Sequence, residues 1–250
     1  MNICFIGKHI YPKDIFSNEL DLKTWRSLSA YFDKLFVIAE SPDIFFHYGA
    51  EKNIKIYLLP RLGYPGFIAL AAILGIFLKI KNKIDIFDAS EVVGGGIAAT
   101  VLKLLAGAKT VIEVQGEIFN RKNQLLKKIG QFVMNKADRV RVISHAIFNQ
   151  VRGQGIPEEK IRLISLRIDL NLFSPLSALR VDGNVAIGYI GRLVEGKGLG
   201  NLLETIKILD NYKLLIFGTG PLESELKAMA KNLEINDKIE WRGFVPYNKV

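Results

Sequence analysis

The sequence predicts an α/β protein with two parallel-sheet domains, the second incomplete, and three observations support this prediction. Short apolar runs rich in β-branched residues alternate with helical patterns along the whole chain, as in parallel sheets with crossover helices. The 250 residues are enough for one large domain or two small ones. A polar, turn-rich segment at 169–183 interrupts the alternation, as an interdomain linker does. We therefore predict one domain at 1–180 and a partial second domain at 181–250.

The first domain is expected to be doubly wound and Rossmann-like, with seven strands. Each predicted strand is a short apolar run, and each predicted helix is a longer stretch with helical spacing of apolar residues. The strands are predicted near 2–6, 34–39, 54–59, 84–88, 109–114, 139–143 and 161–164. The helices are predicted near 17–31, 66–80, 95–106, 122–136 and 144–153.

The second domain restarts the same alternation and then stops. Strands are predicted at 185–190, 213–217 and 238–242, and helices at 199–210 and 221–232. Three parallel strands with two helices leave one face of the sheet poorly covered, although parallel sheets are normally buried on both faces. The sequence therefore predicts an unfinished domain.

Composition and termini exclude several classes of protein. The single cysteine, Cys4, excludes a disulfide framework and a thiolate metal site and favours a reducing compartment. The three histidines are scattered, so no metal site is predicted. Met1 and Asn2 lead directly into a strand without a secretory signal. The longest uncharged stretch, Leu62–Leu78, is shorter than the ~20 apolar residues of a membrane span, so no spanning helix is expected.

The net charge of +9 lies entirely in the first domain. Residues 1–180 hold 25 Lys and Arg against 16 Asp and Glu, whereas residues 181–250 hold nine of each. Such an excess is typical of a phosphate, membrane or nucleic-acid partner, and equally of a solvated basic face. Because no nucleic-acid-binding motif is present, we predict no nucleic-acid partner.

One basic segment is amphipathic. Arg121–Arg141 contains seven Lys and Arg against one acid, and its apolar residues recur at helical spacing. Such a helix binds an anionic membrane surface, and the apolar helix at Phe67–Ile80 would add to the contact. The alternative is that both helices cover the sheet of the first domain. If the membrane hypothesis holds, Lys122, Lys127 and Lys128 contact the lipid.

The most specific segment lies at Ile187–Gly198 and points to phosphate. Gly191 permits a sharp turn after a buried strand. Arg192 follows as a bidentate donor, and Lys197 adds a second cation beside a predicted helix N-terminus. The two cations are therefore candidates for binding one diphosphate.

Glycines also follow the next two strands. Gly218 and Gly220 end one strand, and Gly243 ends the other, directly before Phe244 and Val245. The carboxyl ends of parallel strands meet at one edge, where open α/β sheets bind ligands. The sequence therefore predicts a nucleotide site along this edge.

Two features of the first domain allow alternative interpretations. Gly94–Ala99 fits the dinucleotide fingerprint G-x-G-x-x-A, with Glu113 at the expected distance. An oxidoreductase that uses a nicotinamide cofactor is therefore an alternative function. The same glycines also suit close packing of a helix on a strand. His145 follows Ser144 at a strand end and either contacts a ligand or stands beside a helix-capping serine.

Three segments in the second domain resemble a known family. GRLVEGKG, LLIFGTGPLESEL and IEWRGFVP are similar to the donor domain of the group 1 (family 4) retaining glycosyltransferases, which have the two-domain GT-B fold. KADRVRVISHAI and GIPEEKIRLISLRIDLNLFSP are similar to the family's stretch before the hinge. Together these segments cover about residues 135–250.

The resemblance implies transfer of a sugar, with retention of configuration, from a nucleotide diphosphate sugar to a lipid-linked, polysaccharide or other acceptor. It implies catalytic roles for Arg192 and Lys197, which would neutralise the leaving diphosphate. Together with the strand-end positions described above, it gives the residues predicted to bind substrate, which are Gly7, Gln115, Gly116, His145, Gly191, Gly218, Gly220, Phe244 and Val245. It implies no cofactor besides the donor, although Mg²⁺ can accompany a diphosphate. The expected location is the cytoplasm, including the inner face of the membrane.

The sequence departs from the family pattern at four places. No second glycine follows Gly7. Gln115 stands where the family has a histidine, and a glutamine cannot accept a proton at neutral pH. Leu166–Arg167 replaces the usual Asn-Gly. The family's Glu-x7-Glu motif would lie beyond Val250, so a truncated enzyme is expected. A non-catalytic module that binds a nucleotide or a lipid surface is therefore another interpretation of the sequence.

Overall fold

The computed structural model describes residues 1–16, 19–116, 123–166, 180–181 and 183–246. The chain forms two compact units, Met1–Leu166 and Arg167–Val250. Residues 167–179, which include most of the predicted linker, lie outside the described residues. The boundary predicted near residue 180 therefore stays a prediction.

The first unit contains one eight-stranded sheet in the order β3-β4-β2-β1-β5-β6-β7-β8. Its strands are β1 (Asn2–Ile10), β2 (Lys34–Glu40), β3 (His47–Glu51), β4 (Ile54–Leu59), β5 (Ile86–Ala89), β6 (Lys109–Val114), β7 (Arg139–Val142) and β8 (Ile161–Leu163). Its helices are α1 (Glu19–Ser29), α2 (Gly63–Asn82), α3 (Gly94–Ala106), α4 (Gln124–Lys136) and α5 (His145–Gly153). All seven predicted strands are present and pair in parallel.

The sequence prediction missed β3 because its residues, HYGAE, form no apolar run. This strand pairs antiparallel with β4 at the edge of the sheet. Lys52, in the left-handed region at φ 52°, lies in the tight turn between the two strands. The predicted strand at 2–6 also continues to Ile10.

Helices cover both faces of this sheet, which confirms the doubly wound architecture. Side chains of α2 and α3, such as Phe67 and Leu102, pack with Ile6 and Phe36 on one face. On the other face, Trp25 of α1 packs with the strands β1, β2 and β4. Cys4 is fully buried, and this burial raises the pKa of its thiol.

Helix α2 is the one helix among the described residues that is long and apolar enough to cross a membrane, judged by length and composition alone. In the structure it is the crossover between β4 and β5, and it contacts β1, β4 and α3. Its buried residues are Phe67, Ala71, Ala72, Gly75 and Leu78. Their spacing places one side of the helix against the sheet.

The second unit contains a four-stranded sheet in the order β12-β11-β10-β9. Its strands are β9 (Arg180–Val181), β10 (Asn184–Ile190), β11 (Tyr212–Phe217) and β12 (Ile239–Gly243), and its helices are α6 (Leu199–Ile208) and α7 (Glu223–Asn232). The three longer strands are parallel, whereas the two-residue β9 is antiparallel. Both helices share one core with Leu214 and Ile216. Ile190 on the opposite face is 60% exposed, as expected for a sheet with one poorly covered side.

Candidate functional site

The loop after β10 presents Arg192 to solvent while its backbone is fixed. Gly191 N donates to Phe217 O at 3.0 Å, and Leu193 N donates to Thr219 O at 3.1 Å. The Leu193 side chain is fully buried beneath the loop. Arg192 is therefore held at the carboxyl end of β10 with its guanidinium exposed.

Lys197 lies at the N-terminus of α6. Gly196 and Gly198 on either side of it adopt left-handed φ angles of 79° and 69°, so they turn the chain into the helix. Gly198 is the N-cap and offers no side chain to the first N–H groups of α6. Within the described ranges, neither Lys197 nor Arg192 forms an ion pair with another residue. Two exposed cations thus accompany an uncapped helix N-terminus, a combination that binds anions.

The glycine loop after β11 packs closely on the loop after β10. A Cβ at Gly218 would overlap Gly191 O, and a Cβ at Gly220 would overlap Leu193 O. These two glycines are therefore needed for contact between neighbouring loops. The geometry assigns them a packing role in addition to the predicted nucleotide contact.

The third strand end joins the same edge, as predicted. Gly218 N donates to Gly243 O at 2.7 Å, which ties the loop after β11 to the end of β12. Phe244 follows with 76% of its surface exposed, and Val245 is half-buried. The ends of β10, β11 and β12 thus lie side by side, with an exposed aromatic ring at one end of the row.

In the first unit, Gln115, Gly116 and His145 follow strand ends as predicted, whereas Gly7 lies within β1 because that strand continues to Ile10. Gly7 is buried against Ser90, whose hydroxyl occupies the space that a Cβ would take. Gly116, at φ 129°, follows β6 and faces Ile147 of α5. His145 is exposed as the first residue of α5, and Ser144 before it caps the helix by accepting from Ile147 N. The capping interpretation of Ser144 is therefore confirmed, while a ligand role for His145 stays a prediction.

Gln115 is held by a buried ion pair that sequence reasoning missed. Its Nε2 donates to Glu113 Oε2 at 3.1 Å, and Glu113, which is 7% exposed, pairs with Arg141. Glu113 and Arg141 are register partners on β6 and β7. The Gln115 amide nitrogen is thus occupied, and its carbonyl oxygen is left as the acceptor toward solvent.

Asp88 on β5 lies near the same pair. Its Oδ1 is buried and has no hydrogen-bond partner within the described residues. Burial raises the pKa of this carboxyl, the negative charge of Glu113 adds to the rise, and Arg141 acts in the opposite direction, so that the pKa lies at about 8. The Asp88 carboxyl therefore holds its proton near neutral pH.

Lys8 forms a second ion pair that the sequence did not predict. Its Nζ lies 3.0 Å from Oε2 of the buried Glu40 and 4.6 Å from the centroid of the Tyr64 ring. Glu40 follows the apolar residues of β2. A carboxylate at the end of such a buried strand is the sequence signal that could have identified this ion pair.

The glycines at the start of α3 do not form a dinucleotide site. The Glu91 carboxylate accepts from Val93 N, Gly94 N and Gly95 N at 3.0, 2.8 and 2.5 Å. It occupies the position at the helix N-terminus that a pyrophosphate would need. A Cβ at Gly95 would overlap Ile6 O, so this glycine serves close packing. The oxidoreductase alternative is therefore wrong.

Some predicted features cannot be placed. Lys122 and Arg167 lie outside the described residues. Within the described part of the chain, no group of three or more His, Cys, Asp or Glu is arranged to hold a metal ion.

Comparison with known proteins identifies related chains. The chain is 28% identical over 130 residues to a phosphatidylinositol N-acetylglucosaminyltransferase subunit of Arabidopsis thaliana, covering 50% of this chain and 29% of the relative. It is 28% identical over 112 residues to the amylovoran biosynthesis glycosyltransferase AmsK of Erwinia amylovora, covering 43% and 28%. The chain thus matches less than a third of the length of these curated relatives.

Among solved structures, Anabaena Alr3699/HepE in complex with UDP superposes with a TM-score of 0.72 at 18% identity, covering 99% of this chain and 70% of that chain. This similarity shows the fold, which is the GT-B type with two Rossmann-like domains. The family model described as glycosyl transferases group 1 matches residues 177–250. The model described as Glycosyltransferase Family 4 matches residues 27–172, more than half of the chain. The chain therefore belongs to glycosyltransferase family 4.

Proposed function

We propose that this chain transfers a sugar from a nucleotide diphosphate sugar to an acceptor, with retention of configuration. The observation that carries the proposal is the pair of exposed cations, Arg192 and Lys197, at the uncapped N-terminus of α6. The related Anabaena HepE structures hold UDP and UDP-glucose, which supports a nucleotide sugar as the donor.

The proposed mechanism uses the second unit to stabilise the leaving group. Negative charge grows on the diphosphate as the bond to the sugar breaks. Arg192 would bind two of its oxygens at once, Lys197 would add a point charge, and the first N–H groups of α6 would donate to a third oxygen. The hydrogen bonds from Gly191 and Leu193 fix the loop beforehand, so the site needs little rearrangement to bind the charge.

Phe244 and the two loop glycines complete the proposed nucleotide site. The exposed Phe244 ring is available to contact the base, and Gly218 and Gly220 allow the backbone to approach the ribose and phosphates. No cofactor besides the donor is proposed.

The strand ends of the first unit are proposed to bind sugar hydroxyl groups. The Gln115 carbonyl oxygen accepts from a hydroxyl, while the exposed His145 side chain lies beyond Gly116 on the adjacent helix. The names of the two curated relatives support an acceptor that is lipid-linked or a polysaccharide. With such an acceptor, the proposed location is the cytoplasm, at the inner face of the membrane.

Titration calorimetry with UDP tests the donor site. Arg192→Ala and Lys197→Ala should each weaken binding by roughly ten- to a hundredfold, since a charge-assisted hydrogen bond contributes ~1.5–3 kcal/mol. Lys207→Ala removes an exposed cation from the last turn of the same helix and should leave the affinity unchanged. Equal affinity in all three variants would contradict the proposal.

A second measurement separates an enzyme from a non-catalytic binding module. In the hydrolysis of UDP-glucose, water accepts the glucosyl group and UDP leaves; this reaction should be slower in Arg192→Ala even when the nucleotide sugar is saturating, because the leaving charge is stabilised less. Tight binding of UDP-glucose without any turnover would favour the binding module.

A further inference from the structure

The outer side of α2 exposes a stripe of large apolar residues. Ile73, Phe77 and Ile80 are 66%, 53% and 76% exposed. Their spacing of four and three residues places them on one side of the helix, away from the buried side that contacts the sheet. The outer side of α2 is therefore apolar where a helix on a soluble domain is normally polar.

The loop after β2 extends this stripe. Ile44, Phe45 and Phe46 are 66%, 64% and 51% exposed. Phe46 meets Ile73 and Phe77 across an apolar cleft of about 460 Å³. We call the six residues Ile44, Phe45, Phe46, Ile73, Phe77 and Ile80 the α2 surface.

Cations border the α2 surface, and the acid in the adjoining loop, Asp43, is paired. The α2 helix contains Lys79 and Lys81 and no Asp or Glu, and the exposed Lys83 follows it. Lys81 Nζ lies 5.3 Å from the centroid of the Phe77 ring, so this positive charge directly adjoins the apolar stripe. Asp43, the acid beside the loop, is paired with Lys13 and His47.

We infer that the α2 surface binds an anionic membrane surface. Apolar side chains of this size enter the boundary between headgroups and acyl chains, while adjacent lysines attract anionic headgroups. An exposed apolar patch with a cationic border matches this partner in both respects. This inference extends the proposed location at the membrane and is independent of the donor chemistry.

The inference assigns the contact to α2 instead of the basic helix α4. Much of the apolar side of α4 is occupied, since Gly130, Val133 and Met134 are buried in the first unit, and its exposed large apolar residues are two, Leu125 and Phe132. Lys128 is exposed on the solvated side of this helix, whereas Lys127 is half-buried. The sequence-based expectation gave the main contact to this basic helix, with the apolar helix at Phe67–Ile80 adding to it; the inference gives the main contact to α2.

Vesicle sedimentation tests the inference without any nucleotide sugar. The chain should sediment with vesicles of equal parts phosphatidylglycerol and phosphatidylcholine, and weakly with phosphatidylcholine alone. Replacing Ile73, Phe77 and Ile80 together by serine should lower the partition coefficient at least tenfold. The double variant Lys81→Glu and Lys83→Glu should lower it roughly tenfold or more and weaken its dependence on salt.

Matched variants on α4 provide the control. Leu125→Ser with Phe132→Ser changes two apolar residues that are 64% and 50% exposed outside the α2 surface. Lys127→Glu with Lys128→Glu reverses two charges there. Both controls should bind the mixed vesicles much more like the unchanged chain than the α2 variants do.

Three results would overturn the inference. They are vesicle binding by the serine variant at the level of the unchanged chain, equal losses in the α4 controls, and a dimer that the serine variant abolishes in the absence of any lipid binding. UDP affinity measured on the same variants should be unchanged, so a failure of the membrane inference is distinguishable from a failure of the donor site. The lysine variant gives an independent answer if the serine variant does not fold.

Discussion

The N-termini of α3 and α6 are two glycine-rich turns that look alike in sequence and differ in chemistry. At α3 the first N–H groups are bound by the Glu91 carboxylate of the same chain. At α6 the N-cap Gly198 provides no such acceptor, and Arg192 and Lys197 are exposed nearby. Glycine spacing therefore indicates a tight turn, while the charges around the turn decide whether an external anion can bind.

The largest expected loss of stability from a substitution distinguishes a glycine needed for packing from a glycine needed for a turn. Gly95→Ala places a Cβ against the Ile6 carbonyl oxygen of β1, so it should destabilise the chain by about 1–3 kcal/mol or more. Gly198→Ala meets no atom within 4 Å and is penalised only by its φ of 69°, for which about 1 kcal/mol is expected. Urea denaturation measures both. Equal losses would remove the distinction between a packing glycine and a turn glycine.

The next largest loss of stability is expected when the Glu91 carboxylate, which caps α3, is removed. Glu91→Ala leaves the N–H groups of Val93, Gly94 and Gly95 without their acceptor and should cost about 1–2 kcal/mol of stability. Glu91→Gln retains one acceptor oxygen and should lose less. If the alanine variant were as stable as the unchanged chain, the N–H groups would not depend on Glu91.

The pH dependence of stability gives a separate prediction, which concerns Asp88. The folded-state pKa of Asp88 is raised from 3.8 to about 8, mainly by burial. The folded chain then binds this proton more tightly than the unfolded chain, so the free energy of unfolding should fall as the pH rises between these values. Asp88→Asn should remove that part of the fall. Denaturation series of both chains across this pH range measure it, and identical pH profiles would contradict the raised pKa.

The α/β alternation made most of the fold predictable, because apolar runs of strand length and helical spacing are local properties. The edge strand β3 is held by pairing with β4 and carries no such local signal. The two cations at α6 were also predictable, since both follow one strand within a few residues. The pair of Glu113 with Arg141 depends on the register between β6 and β7, which residue patterns do not specify.

The same limit explains why the dinucleotide motif suggested a site that the structure does not form. Its glycines were visible in the sequence, but the orientation of Glu91 toward the helix N-terminus depends on the tertiary structure. A carboxylate two to four residues before such N–H groups is a warning that the turn is already occupied.

The central claim is that an external diphosphate binds at α6 and not at α3, and amide NMR during a UDP titration tests it most directly. The account predicts shifts of the N–H signals of Gly191, Leu199 and Gly200, and none at Gly94–Gly96. Lys197→Ala should reduce the shifts at α6, and Lys207→Ala should not. Shifts centred on the start of α3, or none anywhere at a large excess of UDP, would contradict the account.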